Sequence, residues 1–158
     1  MTSSLHPSQR PHELADHRAG ASALPTHDTL LARLEGLAHA FNRHDADAVL
    51  SFFAEDCVME LPQGPDPWGR RCVGRAAVHA GVSARFAGLP DVHYGNVAHC
   101  VVGQLGISRW TVSGTTPAGE SVCADGCDFY FFDAQARVTR KDSYWKIVQK
   151  PSMETQPT

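Results

Sequence analysis

The sequence predicts one α+β domain, with helices mostly in its first half and a curled, mainly antiparallel sheet after them. Three observations predict it. Apolar residues recur at helical spacing over residues 28–53, the periodicity changes to two from Val92 onward, and short links join the later strand segments.

The first helix is expected to open at Asp28 as its N-cap, with Leu30, Leu34, Leu37 and Phe41 on one stripe that Leu31 and Ala38 widen. Residues Asn42 to Asp45 break it. Asp45 then caps a short second helix carrying Val49, Phe52 and Phe53, and the two helices form a corner. Residues Cys57 to Leu61 read as a short strand ended by Pro62. The stretch from Gln63 to Gly69, with Pro65, Pro67 and Gly64 around Trp68, reads as a loop. A brief strand at Arg70 to Val73 precedes a third helix from Gly74 to Phe86, stopped by Gly88 and Pro90.

Val92–Val102, Leu105–Ser113, Glu120–Phe132 and Arg137–Val148 are the four long strand candidates. Thr116 to Gly119 places Pro second and Gly fourth, as a type I turn does, and Asp133 to Ala136 closes the next hairpin. This element order gives a sheet with helices over one face. The domain is expected over residues 27–150, with a disordered leader at 1–26 and a flexible tail at 151–158.

The 158 residues fit a single domain, and 42% hydrophobic with 20% charged residues is ordinary for a globular protein. A net charge of −3 argues against a nucleic-acid partner. No apolar run approaches the ~18 residues of a membrane span, and the leader has no signal-peptide core. A cytoplasmic protein with no membrane partner is expected. The five cysteines, an odd number, read as free thiols in a reducing compartment. Cys123 and Cys127 lack further ligands at zinc spacing, so neither a metal nor a cofactor is expected.

The segment Gly126 to Phe132 carries the most chemistry. Alternation puts Asp128, Tyr130 and Phe132 on one face and Cys127, Phe129 and Phe131 on the other. Both faces are apolar, so the strand is expected to be buried on both sides. A carboxylate there must be paired or protonated. Protonated, it would donate a hydrogen bond; otherwise it satisfies backbone amides or pairs with an arginine. Lys141, Ser143 and Trp145 share one face of the last strand and Asp142 and Tyr144 the other, with either face free to turn inward. His93 and His99 fall on one face of the first long strand, where either could work near neutral pH. Glu60 is most simply solvent-facing, and Trp68 either lids an opening or caps the core.

These motifs in this order resemble a known family. Phe41-Asn42-Arg43-His44-Asp45, Phe52 to Val58, Trp110 to Thr115, Gly126 to Phe129 and Lys141 to Lys146 look like the SnoaL-like and ketosteroid-isomerase-like branch of the nuclear transport factor 2 (NTF2-like) superfamily, over about residues 27–148. The resemblance implies a cone-shaped α+β barrel around a cavity open at one end, and dimerisation through the outer sheet face. Asp128 matches the isomerase's protonated oxyanion-hole acid. Tyr130, Phe132, Trp110 and Val112 match cavity positions, while the general-base position holds Leu61, beside Glu60, and the first-helix tyrosine position holds Leu37.

Two functions follow as expectations. One is an isomerase, cyclase or dehydratase acting on a small apolar carbonyl or polycyclic molecule, with Asp128 on an oxygen, Asp142, His93 or Glu60 as base, and Trp110, Val112, Tyr130, Phe132, Trp145, Trp68 and Leu61 around the ligand. The other is a non-catalytic pocket or dimerisation module of the same fold.

Overall fold

A computed structural model describes residues 23–149. The expected tail at 151–158 and most of the expected leader at 1–26 lie outside the described residues. The first helix, α1 (His27–Asn42), is capped by Thr26 rather than Asp28. The Thr26 hydroxyl accepts the Thr29 N–H at 3.2 Å and so satisfies one of the first-turn donors. Asp28 stays exposed in that turn, beside the positive end of the helix. The second helix, α2 (Ala46–Leu50), does start on Asp45, whose carboxylate accepts the Ala48 N–H at 2.9 Å. It is shorter than expected, because Phe53 already opens β1 (Phe53–Asp66).

β1 also runs past Pro62, which was expected to end it. A proline cannot donate to a ladder. Pro62 escapes that demand: pairing with β6 stops at Glu60, and pairing with the next strand is irregular between Leu61 and Asp66. The expected loop therefore shrinks to a Pro67-Trp68 turn between paired Asp66 and Gly69. Gly69 has φ 78°, and a Cβ there would lie 1.8 Å from the Leu61 carbonyl oxygen, so the hairpin requires glycine.

The chain continues through β2 (Gly69–Val73), α3 (Arg75–Gly88), β3 (His93–Val102), β4 (Leu105–Thr115), β5 (Ser121–Phe132) and β6 (Val138–Trp145). These fall where the periodicity places them, although β6 stops short of Val148. The two expected turns form, with Gly119 N–H to Thr116 O at 2.8 Å and Ala136 N–H to Asp133 O at 3.0 Å. Strand order is β2-β1-β6-β5-β4-β3 in one curved, unclosed sheet, antiparallel throughout except for the parallel β1–β6 pair. Short links join β3 to β6 as a meander, and the β1–β2 hairpin docks beside β6.

The helices cover one face of this sheet. Leu30, Leu34 and Leu37 of α1 and Val78 and Val82 of α3 pack with Met59, Tyr130, Phe132 and Val138 in the main core. A second apolar cluster, Leu89, Val92, Trp110 and Val112, lies apart from it. Only the inner face of β5 is covered. Asp128, Tyr130 and Phe132 are buried, but Phe131 is 40% exposed. The expectation of burial on both sides is therefore corrected: no described element lies over the outer face.

Candidate functional site

Register brings the polar side chains of the inner face together. Asp128 on β5 lies between Ser108 of β4 and Ser143 of β6. Both neighbours are small, which leaves space above the carboxylate. One row along, Tyr130 pairs with Lys141. One row the other way, Gly126 lies between Trp110 and Trp145. The Trp110 ring crosses that glycine, so its indole N–H reaches Asp128.

Asp128 is 5% exposed and accepts three hydrogen bonds. Trp110 Nε1 donates at 2.9 Å and the Tyr130 hydroxyl at 3.0 Å, both to Oδ2, while Lys141 Nζ donates to Oδ1 at 2.6 Å. The ammonium also donates to Ser143 Oγ and faces the rings of Tyr130 and Phe41 at 5.6 and 5.8 Å. Asp128 is thus an acceptor held by an indole, a phenol and a cation, and a donor role for a protonated acid does not fit this geometry. Burial, reinforced by the Asp128 charge and hydrogen bond, holds the Tyr130 phenol well above its ordinary pKa. Burial also pushes the Tyr94 phenol up to about 12, with Asp128 adding to the rise and Arg85 opposing it. Both phenols are therefore neutral, and Tyr130 donates to Asp128.

These groups end a chamber of about 50 Å³ whose other walls are Leu34, Phe41, Met59, Leu61, Val82 and Tyr94. By the same measure one water needs about 10–15 Å³. The chamber therefore holds a few waters or the polar end of a ligand, not a whole polycyclic molecule.

Of the residues picked from the sequence, Asp128, Trp110, Tyr130, Trp145 and Leu61 line the chamber together. Val112 and Phe132 are buried in the two apolar clusters instead. Asp142 points to the outer face, where it accepts from Arg140 at 3.3 Å and from the Tyr144 hydroxyl at 3.1 Å. Trp68 is 48% exposed at the hairpin turn, with Arg71 over its ring, and neither lids the opening nor caps the core.

Glu60 is neither solvent-facing nor turned inward. No bulge displaces it, and its side chain is 1% exposed beneath Arg71 and Arg140 on the outer face. Burial raises its pKa, but the two guanidiniums outweigh that and hold it below the usual carboxylate range.

The two histidines do not share a face. Pairing shifts by one residue between Gly95 and Ala98, where Asn96 has φ 50°, so Asn96 and Val97 together oppose Trp110. This bulge leaves His93 on the outer side and turns His99 inward, where its Nδ1 meets Ser108 Oγ at 2.8 Å. Burial lowers the His99 pKa; Glu35 opposes and His39 adds to that shift. The sequence reading missed Tyr94 and left Lys141 undecided. The signal for Lys141 was Asp128 itself, since a buried carboxylate requires a partner. Among the described residues no group of three His, Cys, Asp or Glu side chains is placed to hold a metal, and no helix is long and apolar enough to cross a membrane.

Three helices on a curved sheet, with a narrow chamber between them, make an NTF2-like fold. More particularly, the chain belongs to the SnoaL-like domain family, which matches residues 34–141. Similar solved structures share this fold. A Xanthomonas campestris protein provisionally assigned as a polyketide cyclase is 24% identical, with a TM-score of 0.67 over 76% of this chain and 92% of that one. The epoxide hydrolase/cyclase-like enzyme SalBIII of pyran ring formation in salinomycin is 18% identical, with a TM-score of 0.63 over 76% of this chain and 92% of its own. An NTF2-like protein of unknown function from Burkholderia pseudomallei is 18% identical, with a TM-score of 0.66 over 74% and 90% of the two chains. A search of curated proteins returns no match.

Proposed function

We propose that this domain binds a small, largely apolar molecule through a carbonyl or hydroxyl oxygen and moves a proton on it, as an isomerase, cyclase or dehydratase does. The observation that carries this reading is the ion pair of Asp128 and Lys141, buried at the end of an apolar chamber. Lys141 donates to the ligand oxygen, and Asp128 accepts the proton from the adjacent carbon. The electron pair of that C–H bond moves onto the oxygen as an enolate, which the Lys141 ammonium stabilises. Asp128 then returns the proton to a different carbon. Trp110 and Tyr130 hold the carboxylate in place throughout. The step uses these side chains alone and calls for no cofactor. The protein acts as a homodimer through the outer sheet face, where exposed Phe131 and Tyr144 are available to a second copy.

A second reading, a non-catalytic binding module, is favoured by the small chamber, in which Asp128 and Lys141 already satisfy each other. One experiment separates the two. The protein is placed in heavy water with 2-tetralone, and loss of the protons α to the carbonyl is followed by NMR. The proposal expects exchange about 10²-fold or more above that with Asp128→Asn, the usual contribution of a positioned base. Equal rates would sink proton transfer, and ligand line broadening by both proteins would then leave the binding module.

A further inference from the structure

Leu61, Gly81, Arg85 and Trp145 line the chamber and also a wider groove outside it. They form the neck between the two. The groove lies between the end of α3, the β4–β5 hairpin and the segment after β6, and has a volume of about 570 Å³. That is within the ~300–1,000 Å³ of small-molecule sites, which the chamber is not. The bulk of any ligand that reaches Asp128 must therefore lie in the groove. Its walls include Leu89, Val122 and Val148, and Ile147 stands 91% exposed at its edge.

Charge at the neck narrows the ligand class. The Arg85 guanidinium lies over the Trp145 ring, 4.8 Å from its centroid. Arg71, Arg75, Arg109, Arg137 and Arg140 each hold a carboxylate, but Arg85 forms no salt bridge among the described residues. A planar guanidinium over an aromatic ring, with donors to spare, suits one carboxylate held through two parallel hydrogen bonds. Lys146 also lines the groove and adds positive potential, which Glu120 in the β4–β5 hairpin wall opposes, so the carboxylate belongs at the Arg85 end.

We propose that the groove takes a monocarboxylic acid with an extended apolar body, its carboxylate on Arg85 at the neck and its body along Leu89, Val122 and Ile147. Placing the ligand's oxygen-bearing end in the chamber rests on the acid–base reading above; the carboxylate site does not.

Calorimetric titration with 6-phenylhexanoate and its methyl ester tests this, since the two share a body and differ in charge. The acid should bind about tenfold or more tightly than the ester, the worth of a charge-assisted hydrogen bond to arginine. Arg85→Gln should bring the acid down to the ester's affinity and leave the ester unchanged, while Arg85→Lys keeps part of the preference. Added salt should weaken the acid alone. Equal affinity for acid and ester, no binding of either, or an equal loss of both in Arg85→Gln would overturn the assignment. Asp128→Asn should retain the acid preference. If it does while proton exchange is absent, the acid–base reading falls and the carboxylate site stands; if the preference disappears in Asp128→Asn, Arg85 is not its source.

Discussion

Two carboxylates are buried on opposite faces of this sheet, and their surroundings differ in kind. Glu60, on the outer face, is 1% exposed, but its partners Arg71 and Arg140 are 45% and 47% exposed. The cluster ends in water, and both glutamate oxygens are covered by guanidinium groups. Asp128, on the inner face, has a partner, Lys141, that is only 8% exposed, and its remaining donors come from two buried aromatic side chains. Beyond that cluster lies the apolar-walled chamber rather than the open surface. Depth of burial alone would rank Glu60 as the more unusual group. What distinguishes a ligand site is that the partners are buried as well and that a cavity adjoins them.

The sharpest test of that contrast removes the cation on each face. Lys141→Met leaves Asp128 in an apolar chamber with two neutral donors and no cation, and should cost about 3–5 kcal/mol in urea unfolding, as expected when one partner of a buried pair is lost. Arg140→Met leaves Glu60 on Arg71 with a path to water, and should cost about 1–2 kcal/mol, in the range of a charge-assisted hydrogen bond. Equal losses would erase the distinction between the two faces.

A smaller change can disturb the inner cluster without touching any charge. At Gly126 an added Cβ would lie 2.4 Å from Trp110 Cη2 and 2.5 Å from the Tyr144 carbonyl oxygen. Gly126→Ala should therefore move the indole off Asp128 and destabilise the fold by about 1–3 kcal/mol, the range for overpacking. Near-ultraviolet circular dichroism should report the displaced tryptophan. A changed spectrum with unchanged tetralone exchange would mean that Trp110 does not position Asp128.

Much of this was legible from local pattern. The helical stripe through Leu30, Leu34 and Leu37, the caps and turns at Asp45 and Thr116–Gly119, and the alternation through Asp128, Tyr130 and Phe132 are properties of neighbouring residues, and each appears in the fold. What was not legible depends on pairing across the sheet. Pro62 seemed to end β1 because its tolerance depends on where the β6 ladder stops. His93 and His99 seemed to share a face because one extra residue, opposite Trp110, is invisible to periodicity. Asp142 and Lys141 were equivalent until the register put Lys141 beside Tyr130. A buried partner for Asp128 was required by electrostatics, but its identity is a long-range fact.

The smallest expected effect concerns pH and belongs to the outer cluster. Glu60 is held below its ordinary value of 4.5 by Arg71 and Arg140, against the opposing effect of burial. A depressed folded-state pKa means that the folded protein binds this proton less readily than the unfolded chain. The stabilisation is therefore complete above the unfolded value and is lost as pH falls through the folded one. Glu60→Gln is close in shape to the protonated glutamate, and it can still accept from one arginine. The variant should be less stable than the parent by about 1–2 kcal/mol at neutral pH, because the two half-exposed arginines it leaves behind can turn to water. The two proteins should begin to converge below the ordinary value and meet below the depressed folded one, where the parent's glutamate is neutral too. Asp128 and Lys141 are present in both, so the difference between the two unfolding curves isolates the outer carboxylate. A gap that stays constant from neutral pH to about pH 3 would mean that Glu60 is held by packing and not by charge, and the two faces would then differ less than their geometry implies.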